Sequence, residues 1–554
     1  MQRRLLVVMV TTLVLVPACT PARTPPELAP PAPTRSPAAT AGREPPPNWQ
    51  LLDAAADGVP GISLLRAERE LLAGRAPRRT VVVAVIDVGI DTAHPALRAS
   101  LWTNPKELPG NGRDDDGNGY ADDLHGWDFV GGRDGRSIRY DTFEVTRLYA
   151  RCTHRAAGAA APEAADAPIG DDGATCARVV ADFRRQRAET EQRLAQFRAT
   201  ADTLRTALAL LREAIGADSV TAERVAALDP ARSDVQTAKQ WFLDFAARNM
   251  TPARLDRLQV VLQTRLQYWF NPAFDPRGIV GDNYADPTER HYGNADVVGP
   301  DPSHGTAVSG VVAATRGGAG APAGVAPAVR VMMVRAGADG DERDKDVANA
   351  IRYAADNGAH VISMSFGKEY SPHKRVVDDA VRHADARGVL MVHAAGNNAA
   401  DVGVTPHFPT RHYVGGGEAR HWIEVGASSW KGGDSLAAPF SNYGHTRVDV
   451  FAPGVDIVAA VPGGGSRRDS GTSLAAPIVA GLAALIMAYY PELTTADVRH
   501  IILASATRRG EQLVVRPGSR SGERVPFGSL SATGSIVNAY AAIRLAEEMT
   551  TGKR

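Results

Sequence analysis

Short, mostly apolar runs recur along the chain, at Val81 to Ile86, Val329 to Val334, Val361 to Ser365, Leu390 to Ala395, Ile423 to Ala427 and Val448 to Phe451. Each is the length of one strand and lacks the polar alternation of a sheet with one wet face, so each reads as a strand covered on both sides. Helical patterns lie between them, including Asp344 to Asn357 and Val376 to Ala386. That alternation predicts a doubly wound α/β domain around a parallel sheet, which places its reactive groups at the carboxyl ends of strands. Asp87 and Asn397 fall at or just past such ends.

Two segments carry the partners an aspartate needs for acyl transfer. Ser473 lies in Gly471-Thr472-Ser473-Leu474-Ala475-Ala476-Pro477, and the apolar stretch Ile478 to Tyr490 reads as a buried helix beginning just after it. His304 opens a second helix in His304-Gly305-Thr306-Ala307-Val308-Ser309-Gly310. Singly, each has an ordinary explanation: a turn former after a strand, a capping histidine, a serine N-cap. Taken together, in the order Asp, His, Ser, the segments resemble the subtilisin-like serine peptidases, or subtilases. Asp87-Val88-Gly89-Ile90-Asp91 with His94-Pro95 is similar to that family's aspartate box, and Ala394-Ala395-Gly396-Asn397 to the box that supplies an oxyanion-hole asparagine. The resemblance runs from about Arg79 to about Ala546, broken by one long insertion.

The resemblance implies a role for each residue. His304 takes the proton of Ser473 as it attacks a carbonyl, and Asp87 fixes and stabilises the imidazole. Asn397 and the Ser473 backbone amide donate to the developing oxyanion. Ser365-Phe366-Gly367 is expected at one edge of the cleft, pairing with the substrate as an added strand, and Ala394-Ala395-Gly396 at the wall of the first pocket. Small walls leave room for a large apolar side chain, and neither segment holds an acid that would demand Lys or Arg. Val88, Ala307 and Leu474 depart from the usual family residues without touching proton transfer. Ala96 stands where many relatives place a calcium-binding aspartate, so that metal site is not expected.

A different calcium loop is expected at Asp114 to Asp123. Asp114, Asp116 and Asn118 match its first, third and fifth ligands, Gly119 its sharp turn and Tyr120 its backbone carbonyl, with Asp122 or Asp123 to complete the shell. The glutamate that closes an EF-hand loop is missing, its place taken by His125.

Asp87 and His304 are 217 positions apart, far more than in compact subtilases, so residues 140–271 read as an added module. Leu194, Phe197, Ala201, Leu204, Leu208, Leu211 and Ile215 form a heptad seam that Gly216 ends. Thr251-Pro252 caps another helix bearing Leu255, Leu258, Leu262, Leu266 and Trp269. An antiparallel helical hairpin or small bundle is expected, either a plain decoration or an arm that restricts access to the cleft.

The remaining divisions follow composition. Arg3-Arg4 and the apolar run Leu5 to Val16 read as an export signal, and Val16-Pro17-Ala18-Cys19 resembles a bacterial lipobox, which implies lipid on Cys19. Residues 20–48 form a Pro/Ala-rich tether, 49–79 a helical extension, 80–139 and 272–546 the peptidase domain, and 547–554 a tail. Export makes a Cys152–Cys176 disulfide the expected state of those two cysteines. With 62 basic and 62 acidic residues there is no basic excess to bind nucleic acid. An exported, membrane-anchored serine endopeptidase acting as a monomer on protein or peptide substrates is expected, needing no cofactor for catalysis. The competing readings are a narrow maturation peptidase and a silent peptide-binding scaffold.

Overall fold

The computed structural model describes residues 44–156, 173–318 and 320–552. The expected signal segment, Cys19 and the tether up to residue 43 lie outside the described residues.

The apolar runs become strands of one nine-stranded sheet. The strands in chain order are β1 (Val82–Asp87), β2 (Gly126–Asp128), β3 (Arg330–Arg335), β4 (Val361–Met364), β5 (Leu390–Ala394), β6 (Trp422–Ser428), β7 (Val450–Pro453), β8 (Ile457–Val461), β9 (Gly465–Asp469), β10 (Thr507–Arg508), β11 (Leu513–Val515), β12 (Arg524–Pro526) and β13 (Ser535–Ile536). The sheet order is β10-β13-β7-β6-β5-β4-β1-β3-β2, parallel except for β10 against β13. β8 with β9 and β11 with β12 form separate hairpins.

The helices up to the reactive serine are α1 (Leu64–Glu70), α2 (Glu144–Ala156), α3 (Gly173–Ile215), α4 (Ala222–Ala227), α5 (Ser233–Ala247), α6 (Pro252–Thr264), α7 (Ser303–Ala313), α8 (Asp344–Asp356), α9 (Lys374–Ala386) and α10 (Thr472–Tyr489). Alternate residues of β1 face opposite layers: Val83 and Val85 pack with α7 and α10, and Ala84 and Ile86 with α8 and α9. Both faces are therefore dry, which is why these strands show no polar alternation. Burying one such side chain contributes about 1.5–3 kcal/mol.

α10 is apolar all round because the sheet, α7 and further helices enclose it. It starts at Thr472, two residues earlier than the sequence suggested, so Ser473 stands in its first turn. The cause is a partner from another strand: Asn397 Oδ1 accepts the Thr472 N–H at 2.9 Å, satisfying a donor that the helix start leaves orphaned. The N-terminal extension is less helical than expected. Only Leu64–Glu70 is α-helix, because Gly58, Pro60 and Gly61 break the pattern before it. Trp49 anchors this segment, fully buried with its indole N–H on the Val455 carbonyl at 2.9 Å. At the other end, the helix Ala539–Thr551 runs through the boundary expected at residue 546.

The insertion folds as a long hairpin. α3 alone spans 43 residues, about 65 Å at helical rise. Its contacts run in opposite order along the returning chain: Arg187 meets the Phe270 carbonyl, Arg205 meets Asp256, and Glu213 meets Arg232. Thus α5 and α6 descend one after the other along α3, with α4 at the tip. Leu194, Ala201, Leu204 and Leu211 of the heptad seam are buried, and Gly216 ends α3 at φ 67°. α5 was not foreseen, since its pattern over Val235, Ala238 and Phe242 is short and interrupted by charge. A disulfide joins Cys152 of α2 to Cys176 of α3.

Candidate active site

Asp87 ends β1, buried. His304 is the second residue of α7, and its Nδ1 lies 2.8 and 2.9 Å from the two carboxylate oxygens of Asp87. Gly305 permits this approach, since a Cβ there would fall 2.1 Å from the Gly89 carbonyl oxygen on the turn after Asp87. That turn is fixed from below. The Val88 N–H donates to Asp87 Oδ1 at 2.8 Å, while buried Arg335 donates from Nε to the Val88 carbonyl at 2.6 Å and pairs with Asp128. With Nδ1–H committed to Asp87, the Nε2 of a neutral His304 is left as an acceptor. Loss of water around the imidazole would lower its pKa, but Asp87 outweighs this and raises it above the ordinary value, with Asp469 and Glu342 adding in the same direction.

Ser473 lines the same cleft, of about 450 Å³, with Asp87, His304 and Asn397. Its hydroxyl donates to the Ser365 carbonyl at 3.2 Å, and the Ser365 hydroxyl returns a bond to the Ser473 carbonyl at 3.0 Å. The serine therefore rests against the residue that follows β4. Catalytic hydrogen bonds commonly tighten only once substrate is bound. Asn397 is held by its carbonyl oxygen, which accepts from the Thr472 N–H and hydroxyl at 2.9 and 3.0 Å. Its amide N–H groups remain free to donate.

Ser365, Phe366, Gly367, Ala394 and Gly396 all line this cleft, whereas Ala395 is fully buried behind it. Sequence reasoning missed His407, which stands between the two walls. A Cβ on Gly367 would fall 2.2 Å from its Nε2, and one on Gly396 2.9 Å. The space between the small walls is thus partly filled from behind. Burial and neighbouring His393 push the His407 imidazole down to about 3, so this filler is neutral. His393 itself has both ring nitrogens 2.8 Å from acceptors, Glu424 and the Phe366 carbonyl. No local motif marks His407, because its two neighbours come from β4 and β5.

The other side of the cleft is built differently. Gly337, Gly340, Glu342 and, from the insertion, Trp269 line it. Trp269 is fixed by its indole N–H on the Asp339 carbonyl at 3.0 Å and by Arg265 stacked 4.7 Å over its ring. Beneath lies a seam of buried charge. Arg277 pairs with Asp282 and Asp346 at 2.7 and 2.6 Å, Arg343 with Asp141 at 2.8 Å, and Lys368 with Glu144 and Asp344 at 2.8 Å each. Asp344 and Asp346 also sit in the first turn of α8, where the helix dipole favours negative charge. Glu144 and Asp141 are held below the usual carboxylate range: their cationic partners overcome the burial that opposes ionisation. The seam bolts the root of the insertion to the start of α8 and to Lys368.

At the expected calcium loop the structure brings three carboxylates together. The carboxylates whose oxygens come within 4.8 Å of one another are Glu107, Asp114 and Asp116. Asn118 Oδ1 accepts the Tyr120 N–H at 2.8 Å, and the Tyr120 ring packs edge-on against Trp127, Phe129 and Tyr353. Asp123 is fully buried and accepts from Asn104, Asn118 and the Tyr353 hydroxyl at 2.8, 3.0 and 2.6 Å. Burial pushes its carboxyl up to about 6. Asp122 spends its oxygens on the Asn111 and Gly112 amides. Glu107 was overlooked because it lies outside the repeating Asp-Gly pattern.

Comparison with known proteins agrees with this geometry. A sequence model of the subtilase family matches residues 78–518. The chain is 40% identical over 227 residues to the thermophilic serine proteinase of Bacillus sp. (strain AK1), covering 41% of this chain and 51% of that protein. It is 35% identical over 243 residues to alkaline elastase YaB of Bacillus sp. (strain YaB), covering 44% and 55%. It is 34% identical over 225 residues to subtilisin BL of Lederbergia lenta, covering 39% and 77%. The chain thus spans about half the length of the first two of these relatives.

Proposed function

The chain belongs to the subtilase family, and on that premise we propose that it is a serine endopeptidase working through an acyl-enzyme. The observation that carries the reading is His304 Nδ1 on both oxygens of Asp87, in one cleft with Ser473 and Asn397. Ser473 Oγ attacks the peptide carbonyl while His304 Nε2 takes its proton. His304 then gives that proton to the leaving amine, and water reverses the sequence to release the acid. Asp87 holds the tautomer and stabilises the imidazolium. Asn397 Nδ2 and the Ser473 N–H stabilise the oxyanion. An extended peptide pairs along Ser365 to Gly367, and the first pocket takes an apolar side chain of a size limited by His407. A fluorophosphonate should label the protein, with Ser473→Ala as the control. Absence of labelling, or labelling that survives the substitution, would overturn the assignment.

The loop at Glu107, Asp114 and Asp116 fits a structural calcium ion. These three carboxylates converge without an ion-pair partner among the described residues, and Asn118 and the Tyr120 carbonyl supply further hard oxygens. Titrating chelator-treated protein with calcium should release heat and raise Tm; neither effect would end this idea. Calcium here supports the fold and takes no part in the reaction.

We further place the enzyme at the cell envelope, anchored by lipid on Cys19. The Cys152–Cys176 disulfide supports an oxidising compartment. Radiolabelled fatty acid should enter the wild-type chain and not Cys19→Ala. Trp269 favours the narrower alternative, a peptidase that matures selected exported proteins, because the insertion itself supplies part of the cleft wall.

A further inference from the structure

We propose that Glu342 makes this cleft select a lysine or arginine side chain in the substrate, at a position neighbouring the residue whose carbonyl is attacked. The proposal rests on the endopeptidase reading and adds a cationic substrate class to it.

Glu342 lines the same cleft as His304, Ser473 and Phe366. Its carboxylate accepts no hydrogen bond and forms no ion pair with any other described residue. Its neighbours are all satisfied. Asp341 accepts the Glu144 N–H at 2.8 Å, Arg343 binds Asp141 and Asp275, and Asp344 accepts from Ser371 and the His373 N–H. Lys368 reaches Glu342 only at its backbone carbonyl, 2.7 Å away, because its ammonium is already shared by Glu144 and Asp344. The cations of the seam are thus taken by other acids, and Glu342, unlike Asp341 beside it, has neither an ion pair nor a hydrogen-bond donor from another described residue. Burial, with the Asp341 carboxylate beside it, pushes the Glu342 carboxyl up to about 8, as expected of an acid held from water without a cation.

An entering ammonium or guanidinium supplies that cation. Its attraction to the carboxylate is strengthened where water is excluded, and its aliphatic stem can lie on the Phe366 and Trp269 rings of the same cleft. The side chain of the attacked residue itself goes elsewhere, between the walls that enclose His407, so a basic preference here coexists with an apolar first pocket. A simple electrostatic effect on His304 is the competing explanation, since Glu342 helps raise that imidazole. Such an effect would act on every substrate alike.

The test compares kcat/KM for peptides identical except for Lys, Arg, Met or Gln, placed in turn at each position around the cleaved bond. In the wild type one position should favour Lys and Arg over Met. Glu342→Gln should shrink that ratio by about tenfold or more, the usual scale for losing a charged partner. Glu342→Lys should reverse it, favouring Glu in a further peptide. A wild type indifferent to charge at every position, or a ratio unchanged in Glu342→Gln, overturns the proposal even if fluorophosphonate labels Ser473. Failure to label overturns the peptidase reading and this inference with it.

Discussion

The two sides of the cleft are held by opposite physics. The side carrying Ser365 to Gly367, Ala394 to Asn397 and Ser473 rests on a dry layer of Val, Ile, Leu and Ala between β1, β4, β5 and α10. The side carrying Gly337 to Glu342 and Trp269 rests on ion pairs that join residues 141–147 and 275–282 to 343–346 and 368. Apolar contact is non-directional and tolerates exchange of similar volumes. A buried ion pair is directional, and losing one member strands the other. Asn397 and Ser473 are thus built on the tolerant side, and Glu342 and Trp269 on the exacting side. It follows that the root of the insertion is a fixed wall, so any gating by this module is to be tested on its distal arm.

The largest test of that division removes the chemistry alone. Ser473→Ala should lower kcat by about 10⁶-fold, a magnitude known from subtilisin, a member of this family, while leaving the urea midpoint nearly unchanged. Asn397→Ala should cost about 10²–10³-fold in kcat, again on the subtilisin scale. If either also unfolds the protein, the reacting side is less independent of its scaffold than argued. On the other side, Arg277→Met leaves buried Asp346 without a cation and Asp282 with Lys345 alone, and should cost about 3–5 kcal/mol in urea unfolding. Ile86→Val in the sheet should cost only about 0.5–1.5 kcal/mol. Equal costs would erase the contrast.

Smaller effects sharpen it. Because Asp87 raises the His304 pKa, the base is protonated and inactive at low pH, and kcat/KM should climb with pH through a midpoint above the ordinary histidine value of about 6.5. Asp87→Asn should move that midpoint down while greatly reducing the rate. Least of all, the arm beyond the root should matter little for short peptides. Arg205 and Asp256 touch, so residues 206–255 can be replaced by a short Gly/Ser turn. Peptide cleavage should hold within about twofold, as for surface changes away from packed features. A selective change on folded protein substrates would assign the arm a role in access.

Much of this was legible from residues. The apolar runs located β1 and β3 to β7 to within a residue or two, because a strand dry on both faces records its burial in every position. Asp87, His304, Asn397 and Ser473 were legible because each sits at a strand end or helix start whose flanking glycines and small residues form a local signature. The start of α10 lies two residues before the expected one, since its cap comes from Asn397, 75 positions away. His407, Glu342 and Glu107 were missed for a related reason: their significance lies in neighbours from other elements, and nothing beside them in the chain announces it. Asp123 shows the converse. Its place in an acidic repeat suggested a ligand, while its actual partners are Asn104, Asn118 and Tyr353.

By itself, then, the sequence determined the parallel sheet, the order of reacting residues and the existence of a helical insertion. Those properties are periodic or local, and periodicity survives in one dimension. Only the tertiary structure decided that Trp269 joins the cleft, that His407 stands between the small walls and that Glu342 is left without a counter-ion. Each depends on which groups the fold brings within a few ångströms, and a charge declares itself paired or unpaired only when all its neighbours are in place.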